Sequence, residues 1–179
     1  MSEFKMHISL PLDKDGFFRR ECPLCCREFK LLLDKKELDD LAQKGIDSFL
    51  LEGEQAETNS DDSDAQKKEY NCPYCGQVGP DDSWWTQEQL AYIRIFAKNV
   101  MAKMVNEHLI RPLRRNFSRS SSGPISMRFE GKEMEEQEPW ISPETDDMDI
   151  FELPCCQRKM KIEDGWKGKV YCFFCGFPF

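Results

Sequence analysis

Nine cysteines carry the chemistry of this 179-residue chain, at positions 22, 25, 26, 72, 75, 155, 156, 172 and 175. Three CxxC pairs, an odd total and no secretory signal argue for metal rather than a disulfide framework. A structural metal site wants four ligands in a tetrahedron, and a CxxC turn brings two thiolates to one ion. Cys22-Pro23-Leu24-Cys25 and Cys72-Pro73-Tyr74-Cys75-Gly76 together make one four-thiolate set, with Pro and Gly favouring the tight turns. Cys172-Phe173-Phe174-Cys175-Gly176 supplies half of a second set, and its partner is the adjacent pair Cys155-Cys156. Neighbouring side chains in a strand point to opposite faces, so both reach one ion only where the backbone bends sharply. The alternative is three thiolates plus another ligand, and the only histidines are His7 and His108.

The expected cofactors are therefore two structural Zn²⁺ ions. One is held by Cys22, Cys25, Cys72 and Cys75, the other by Cys155, Cys156, Cys172 and Cys175. Cys26 is the spare, expected to be a small buried apolar side chain. Sites filled by four thiolates leave no position for an activated water. The sequence has no GxSxG, Walker or dinucleotide glycine pattern, and no histidine near a Ser- or Cys-centred motif. We expect no catalytic residues, no enzyme activity and no small-molecule substrate. Zinc then acts as a folding staple, worth on the order of 10 kcal/mol in a small domain.

The elements that must position these sulfurs are short. Phe4, Met6, Ile8 and Leu10 alternate with polar residues, a half-buried strand pattern. Asp13-Lys14-Asp15-Gly16 reads as a turn, and Phe17 to Glu21 and Phe29 to Leu33 as strands flanking the first knuckle. Residues 34–50 read as a helix capped by Asp34, with Gly45 near its end. Residues 52–66 hold six acids, no base and no large apolar residue, which predicts a mobile loop; order returns at Tyr70.

Thr86-Gln87-Glu88-Gln89 has the form of a capping box and opens a long helix. Leu90, Ile93, Ala97, Val100 and Met104 follow at helical spacing, and Ile95, Phe96, Met101, Val105 and Leu109 widen the apolar face. Arg94, Lys98, Asn99, Lys103 and Asn106 fill a limited polar sector, and the helix is expected to end or kink near Pro112. Trp84-Trp85 is placed to staple the first ribbon to it. Residues 111–128 carry five arginines and no acid; residues 133–149 carry eight acids and no base, with Pro139 and Pro143 marking a linker. The last unit reads as Phe151 to Cys156, Met160 to Ile162, a turn at Glu163-Asp164-Gly165, and Val170 to Phe174. Packing within that ribbon is the expected role of Phe173, Phe174, Phe177 and Phe179.

GFFRRECPLCCREFKL, NCPYCGQVGPDDSWWTQEQL and ELPCC…KVYCFFCG together resemble a group of bacterial double zinc-ribbon proteins, over most of residues 16–116 and 151–179. The knuckles also resemble those of rubredoxins and transcription-factor ribbons. The resemblance implies an architecture and no activity. In that group the position of Cys155-Cys156 tends to be a Cys-His pair, which implies that both residues here are ligands.

The expected fold class is α+β: two small β zinc ribbons joined by a long central helix. Residues 1–82 form the N-terminal ribbon with an insert at about 34–69, and 83–116 the helix. Residues 117–150 are a basic then acidic linker with a possible strand at 125–131, and 151–179 the C-terminal ribbon. The formal net charge of -8 becomes about -12 once eight thiolates hold two Zn²⁺. A body that negative is repelled by bulk nucleic acid and by anionic membrane. No stretch approaches the ~18 apolar residues of a membrane span, and a cytoplasmic location is expected. The leading expectation is a non-catalytic interaction protein with a protein partner or self-association. The alternative is a nucleic-acid-associated regulator binding through Arg111, Arg114, Arg115 and Arg119, and the third is a rubredoxin-like electron carrier.

Overall fold

The computed structural model describes residues 8–51, 68–117 and 129–179. Phe4 and Met6 of the expected first strand, the acidic stretch 52–66, Arg119 and most of the possible strand at 125–131 lie outside the described residues. The architecture is mixed α+β. Strand β1 (Phe17–Glu21) and β2 (Glu28–Leu32) form a hairpin around the first knuckle, and β3 (Glu69–Asn71) and β4 (Val78–Pro80) a smaller one around the second. β5 (Met148–Leu153) and β6 (Arg158–Glu163) flank the adjacent cysteines. The fourth knuckle is closed by a single antiparallel bridge, Tyr171 to Pro178, where the sequence suggested a strand over 170–174. Helix α1 (Lys35–Leu51) follows the first hairpin and α2 (Gln87–Val105) follows the second.

The two metal-bearing units meet in the sheet. Its strand order is β1-β2-β6-β5, and β2 pairs antiparallel with β6, Lys30 opposite Lys161 and Leu31 opposite Met160. The two units, expected to be joined by a long central helix, pair directly edge to edge here, which satisfies two strand edges at once. One core is shared by both units: Phe29, Leu31, Trp84, Leu153, Met160 and Phe173 pack around buried Cys22, Cys72 and Cys172. A second core joins β1 to the helices through Ile8, Leu10, Phe18, Ile46, Trp85 and Ile93. The adjacent tryptophans thus divide, Trp84 into the first core and Trp85 into the second. Full burial of a side chain such as Phe18 or Ile93 stabilises by roughly 1.5–3 kcal/mol.

Several local expectations shift. Residues 8–13 form no strand; Ile8 and Leu10 are buried because they fill the helical core, without a paired neighbour strand. The turn at 13–16 forms as expected: Asp13 Oδ1 accepts from the N–H of Asp15 (3.0 Å) and Phe17 (2.9 Å). Asp34 caps α1 reciprocally with Glu37. Gly45 does not end that helix. A Cβ there would stand 3.2 Å from both Ile93 and Trp85, so glycine permits the close approach of α1 and α2. The Thr86–Gln89 capping box is complete. Pro112 does not stop the helical run: a π-helical turn, Asn106–Ile110, precedes a last helix α3 (Arg111–Phe117), with the Arg111 N–H donating to Asn106 O. Widening by one residue shifts the carbonyls that a proline ring would otherwise strike.

Residues 129–147 have no regular structure, with no strand at 129–131, yet they are fastened along α2. Asn106 Nδ2 donates to Met134 O and its Oδ1 accepts from the Met134 N–H, both at 2.8 Å. Asn99 grips Gln137 in the same reciprocal way. Glu88 accepts from the N–H and hydroxyl of Ser142. Asn99 and Asn106 are two turns apart and so share a face.

That strap ends on a row of cations. Arg19, Lys30 and Lys161 lie opposite one another across β1, β2 and β6. Lys161 pairs with Asp13 (2.8 Å), Asp15 (2.7 Å) and Asp146 (2.7 Å). Lys30 pairs with Glu144 (3.0 Å) and Asp147 (2.8 Å), and Arg19 with Glu144 (2.6 Å) and Asp147 (2.7 Å). Without such partners these buried cations would be costly.

Candidate metal centres

Two groups of four thiols converge, each with its sulfurs within 4.8 Å of one another: Cys22, Cys25, Cys72 and Cys75, and Cys155, Cys156, Cys172 and Cys175. In the first, Cys22 and Cys75 Sγ are 3.8 Å apart and Cys25 and Cys72 Sγ 3.7 Å. In the second, Cys156 and Cys172 Sγ are 3.8 Å apart and Cys155 and Cys175 Sγ 3.5 Å. A tetrahedral ion with metal–sulfur bonds of about 2.3 Å requires sulfur–sulfur edges of about 3.8 Å. Both donor sets therefore fit a metal ion, and the separations are far too long for disulfides.

The turns explain the convergence. In three of them the residue after the second cysteine donates its N–H to the first cysteine's carbonyl: Cys26 to Cys22 (2.9 Å), Gly76 to Cys72 (3.0 Å) and Gly176 to Cys172 (2.8 Å). That residue sits at positive φ in each, 55° at Cys26 and 71° at both glycines, and Gln157 repeats the conformation at 51°. The sharp bend that adjacent cysteines require is thus present at 154–157. Leu153 fills the place that the first cysteine takes elsewhere and is buried in the shared core. Cys155 and Cys156 then reach different sulfurs of the fourth knuckle. Cys26 contradicts its expectation: it is exposed, because its left-handed backbone turns it out of the core.

Backbone donors prepare some of these thiols for ionisation. The Phe177 N–H brings Cys175 down to about 7. Burial works against Cys75, yet the Gln77 N–H and the neighbouring thiols bring it below its ordinary value. Burial pushes Cys72 well up. Each group so contains one thiol held below its ordinary value, and metal binding would draw the remaining protons off.

The two centres are braced against each other. The Asn71 N–H donates to Phe173 O and the Tyr171 N–H donates to Pro73 O, each at 2.9 Å. Gly76 lies under the Tyr171 ring, where a Cβ would approach to 3.3 Å, and Gly176 lies under the Asn71 amide, at 2.8 Å. The second and fourth knuckles are thus related by a local two-fold exchange. Tyr74 adds a tie: its hydroxyl donates to Glu28 O (2.7 Å) and accepts from the Glu163 N–H (2.9 Å).

The arginine segment has a different fate. Arg111 Nη2 pairs with Glu133 (3.1 Å), and Arg114 donates to Gly131 O (3.0 Å) and reaches the same Glu133. Glu133 of the acid run therefore engages both arginines within the chain. The cation row of Arg19, Lys30 and Lys161 was not foreseen. Its one sequence signal is a lysine inside each of two apolar strand runs, Phe29-Lys30-Leu31 and Met160-Lys161-Ile162.

No helix among the described residues is long and apolar enough to cross a membrane. No family model matches the chain, and no curated protein or solved structure is significantly similar to it. The two cysteine clusters are consistent with zinc-ribbon-like knuckles, three of CxxC spacing and one built on the adjacent pair Cys155-Cys156.

Proposed function

We propose that this chain is a non-catalytic zinc protein, an adaptor or accessory subunit whose metal ions hold a surface together for a partner. The observation that carries the reading is the pair of complete four-sulfur clusters. Soft thiolates with tetrahedral edges suit zinc, and four ligands leave no open position for substrate or water. The same sulfurs would accept iron, so metal analysis of protein purified from its own cells separates the structural reading from an electron carrier. Zinc at two ions per chain is the expected result; a coloured, iron-loaded protein defeats it.

The surface reading rests on apolar side chains left outside both cores. Met101, Met104 and Leu109 are exposed along the distal half of the helical run, and Trp140 is 70% exposed on the strap beside it. Single exposed apolar residues need no explanation, but a run of them on one element fits a partner or a second copy. The test is recovery of the tagged protein from its own cells, with and without nuclease. A stoichiometric protein that survives nuclease, and is lost with Met101→Glu plus Met104→Glu, is expected. Partners lost with nuclease would replace this reading by the nucleic-acid-associated one.

A further inference from the structure

The guanidinium of Arg20 lacks the partners that the other buried cations have. Arg20 is 1% exposed. Its Nη2 donates to the backbone carbonyl of Asp81 at 2.7 Å, while Nε and Nη1 have no acceptor. The carboxylate of Asp81 is spent on Lys44. Among the described residues no ion pair of Arg20 is formed; the Trp85 and Phe18 rings lie 4.6 and 5.6 Å from its guanidinium. A desolvated cation with two idle donors is costly unless an anion or acceptor completes it.

Arg20 lines a cavity of about 390 Å³ between α1 and the paired second and fourth knuckles. The opposite wall is aromatic, Tyr70 and Phe173 stacked at 4.5 Å with Phe174 edge-on, and Leu41 closes the α1 side. The lining also holds the cations Lys44 and Lys68 and the carboxylates Glu37, Asp40 and Asp81, so apolar and charged groups share a space of the size small-ligand pockets have. We propose that this cavity binds a small carboxylate with a flat apolar body, its carboxylate on Arg20 and its body against Tyr70, Phe173 and Phe174. The sequence alone led us to expect no such ligand. The proposal is independent of the adaptor reading, since it requires only the zinc-loaded fold, whose knuckles supply the aromatic wall.

The test uses the full zinc-loaded chain, with benzoate as probe and benzamide as its neutral counterpart of the same shape. Titration is followed by the Arg20 Nε–H and the Phe174 ring resonances. Benzoate is expected to shift both saturably and to bind at least about ten-fold more tightly than benzamide, the worth of one charge-assisted contact. Leu41→Trp, which fills the cavity and leaves Arg20 in place, is expected to abolish the response. Arg20→Met removes the preference for the anion if it folds, and the Leu41 variant decides the matter if it does not. No saturation up to about 10 mM benzoate, equal affinity for benzamide, or an unchanged response in Leu41→Trp overturns the proposal.

Discussion

Lys30 and Lys161 stand directly opposite each other where β2 meets β6, and both are fully buried. Two like charges at the seam between the metal-bearing units would drive them apart, were it not for the carboxylates of the Asp13 turn and of the strap. The junction between the two units is therefore an electrostatic device as well as a sheet.

Lys161→Met removes the cation that three carboxylates share. Asp13 is left buried with only the more distant Lys30 ammonium, 3.6 Å away, so a loss of about 3 kcal/mol is expected. Chemical denaturation of the zinc-loaded protein measures it. Lys161→Arg, which keeps the charge, should lose visibly less.

Asn106→Ala deletes both main-chain bonds to Met134, and Asn99→Ala both bonds to Gln137. Each paired grip is worth about 1–2 kcal/mol of docking. Amide exchange at Met134 and Gln137 should quicken, while exchange in β2 and β6 and the metal content stay as they were. Unchanged exchange at those two amides would refute the strap's dependence on the asparagines.

Acid should dislodge the strap only through the metal. Lys14 and Lys161 hold Asp146 down to about 2; burial opposes at Asp147, but Arg19 and Lys30 also bring it to about 2. Carboxylates held low in the folded state stabilise fully above about pH 4, and that contribution declines as the pH falls towards about 2. Thiolates surrender their metal at milder pH. With cobalt in the sites, loss of its visible absorption and the change in Trp140 emission should share one midpoint above pH 4. Strap release at such a pH with the cobalt spectrum intact contradicts this.

The braces between knuckles should couple the two metals. Cys156→Ser weakens the second centre, and the Asn71–Phe173 and Tyr171–Pro73 bonds pass the disturbance to the first. A drop of about ten-fold in affinity at the first centre is expected, within the usual range for coupled sites. Competitive cobalt titration reads it; an unaltered first centre would show the two to be independent.

Two substitutions at left-handed positions should act in opposite directions. Gly176→Ala places a Cβ in the Asn71 amide and strains the backbone, for a loss of about 1–3 kcal/mol. Cys26→Gly relieves a non-glycine residue of that conformation, for a gain of about 0.5–1 kcal/mol. Metal content should remain two ions per chain in the Cys26 variant, because Cys26 belongs to neither sulfur cluster.

Cysteine spacing points to the first cluster outright, because a CxxC turn is a local object, whereas the adjacent pair Cys155-Cys156 leaves three thiolates plus another ligand open for the second. The caps at Asp34 and Thr86 were legible for the same reason. What stayed hidden was tertiary. Alternation at Ile8 and Leu10 reports two buried side chains, whether or not a strand lies beside them. Gly45 looks like a helix end until Trp85 is placed against it. The acids at 144–147 resemble any solvated linker, since composition does not say that Lys30 and Lys161 wait beneath them. Pro112 predicts a break, and only the preceding π turn shows how the helix runs through it.

The reciprocal bonds of Asn71 and Tyr171 also bear on origin. A contact in which each of two similar pieces presents the same surface to the other is the form taken by symmetric homodimers. It needs one surface to arise, since a change in that surface counts twice. A gene for a single ribbon that paired with itself, once doubled and joined, would hold this arrangement from the outset. The lone helices α1 and α2 and the odd Cys155-Cys156 turn would then be later departures from symmetry.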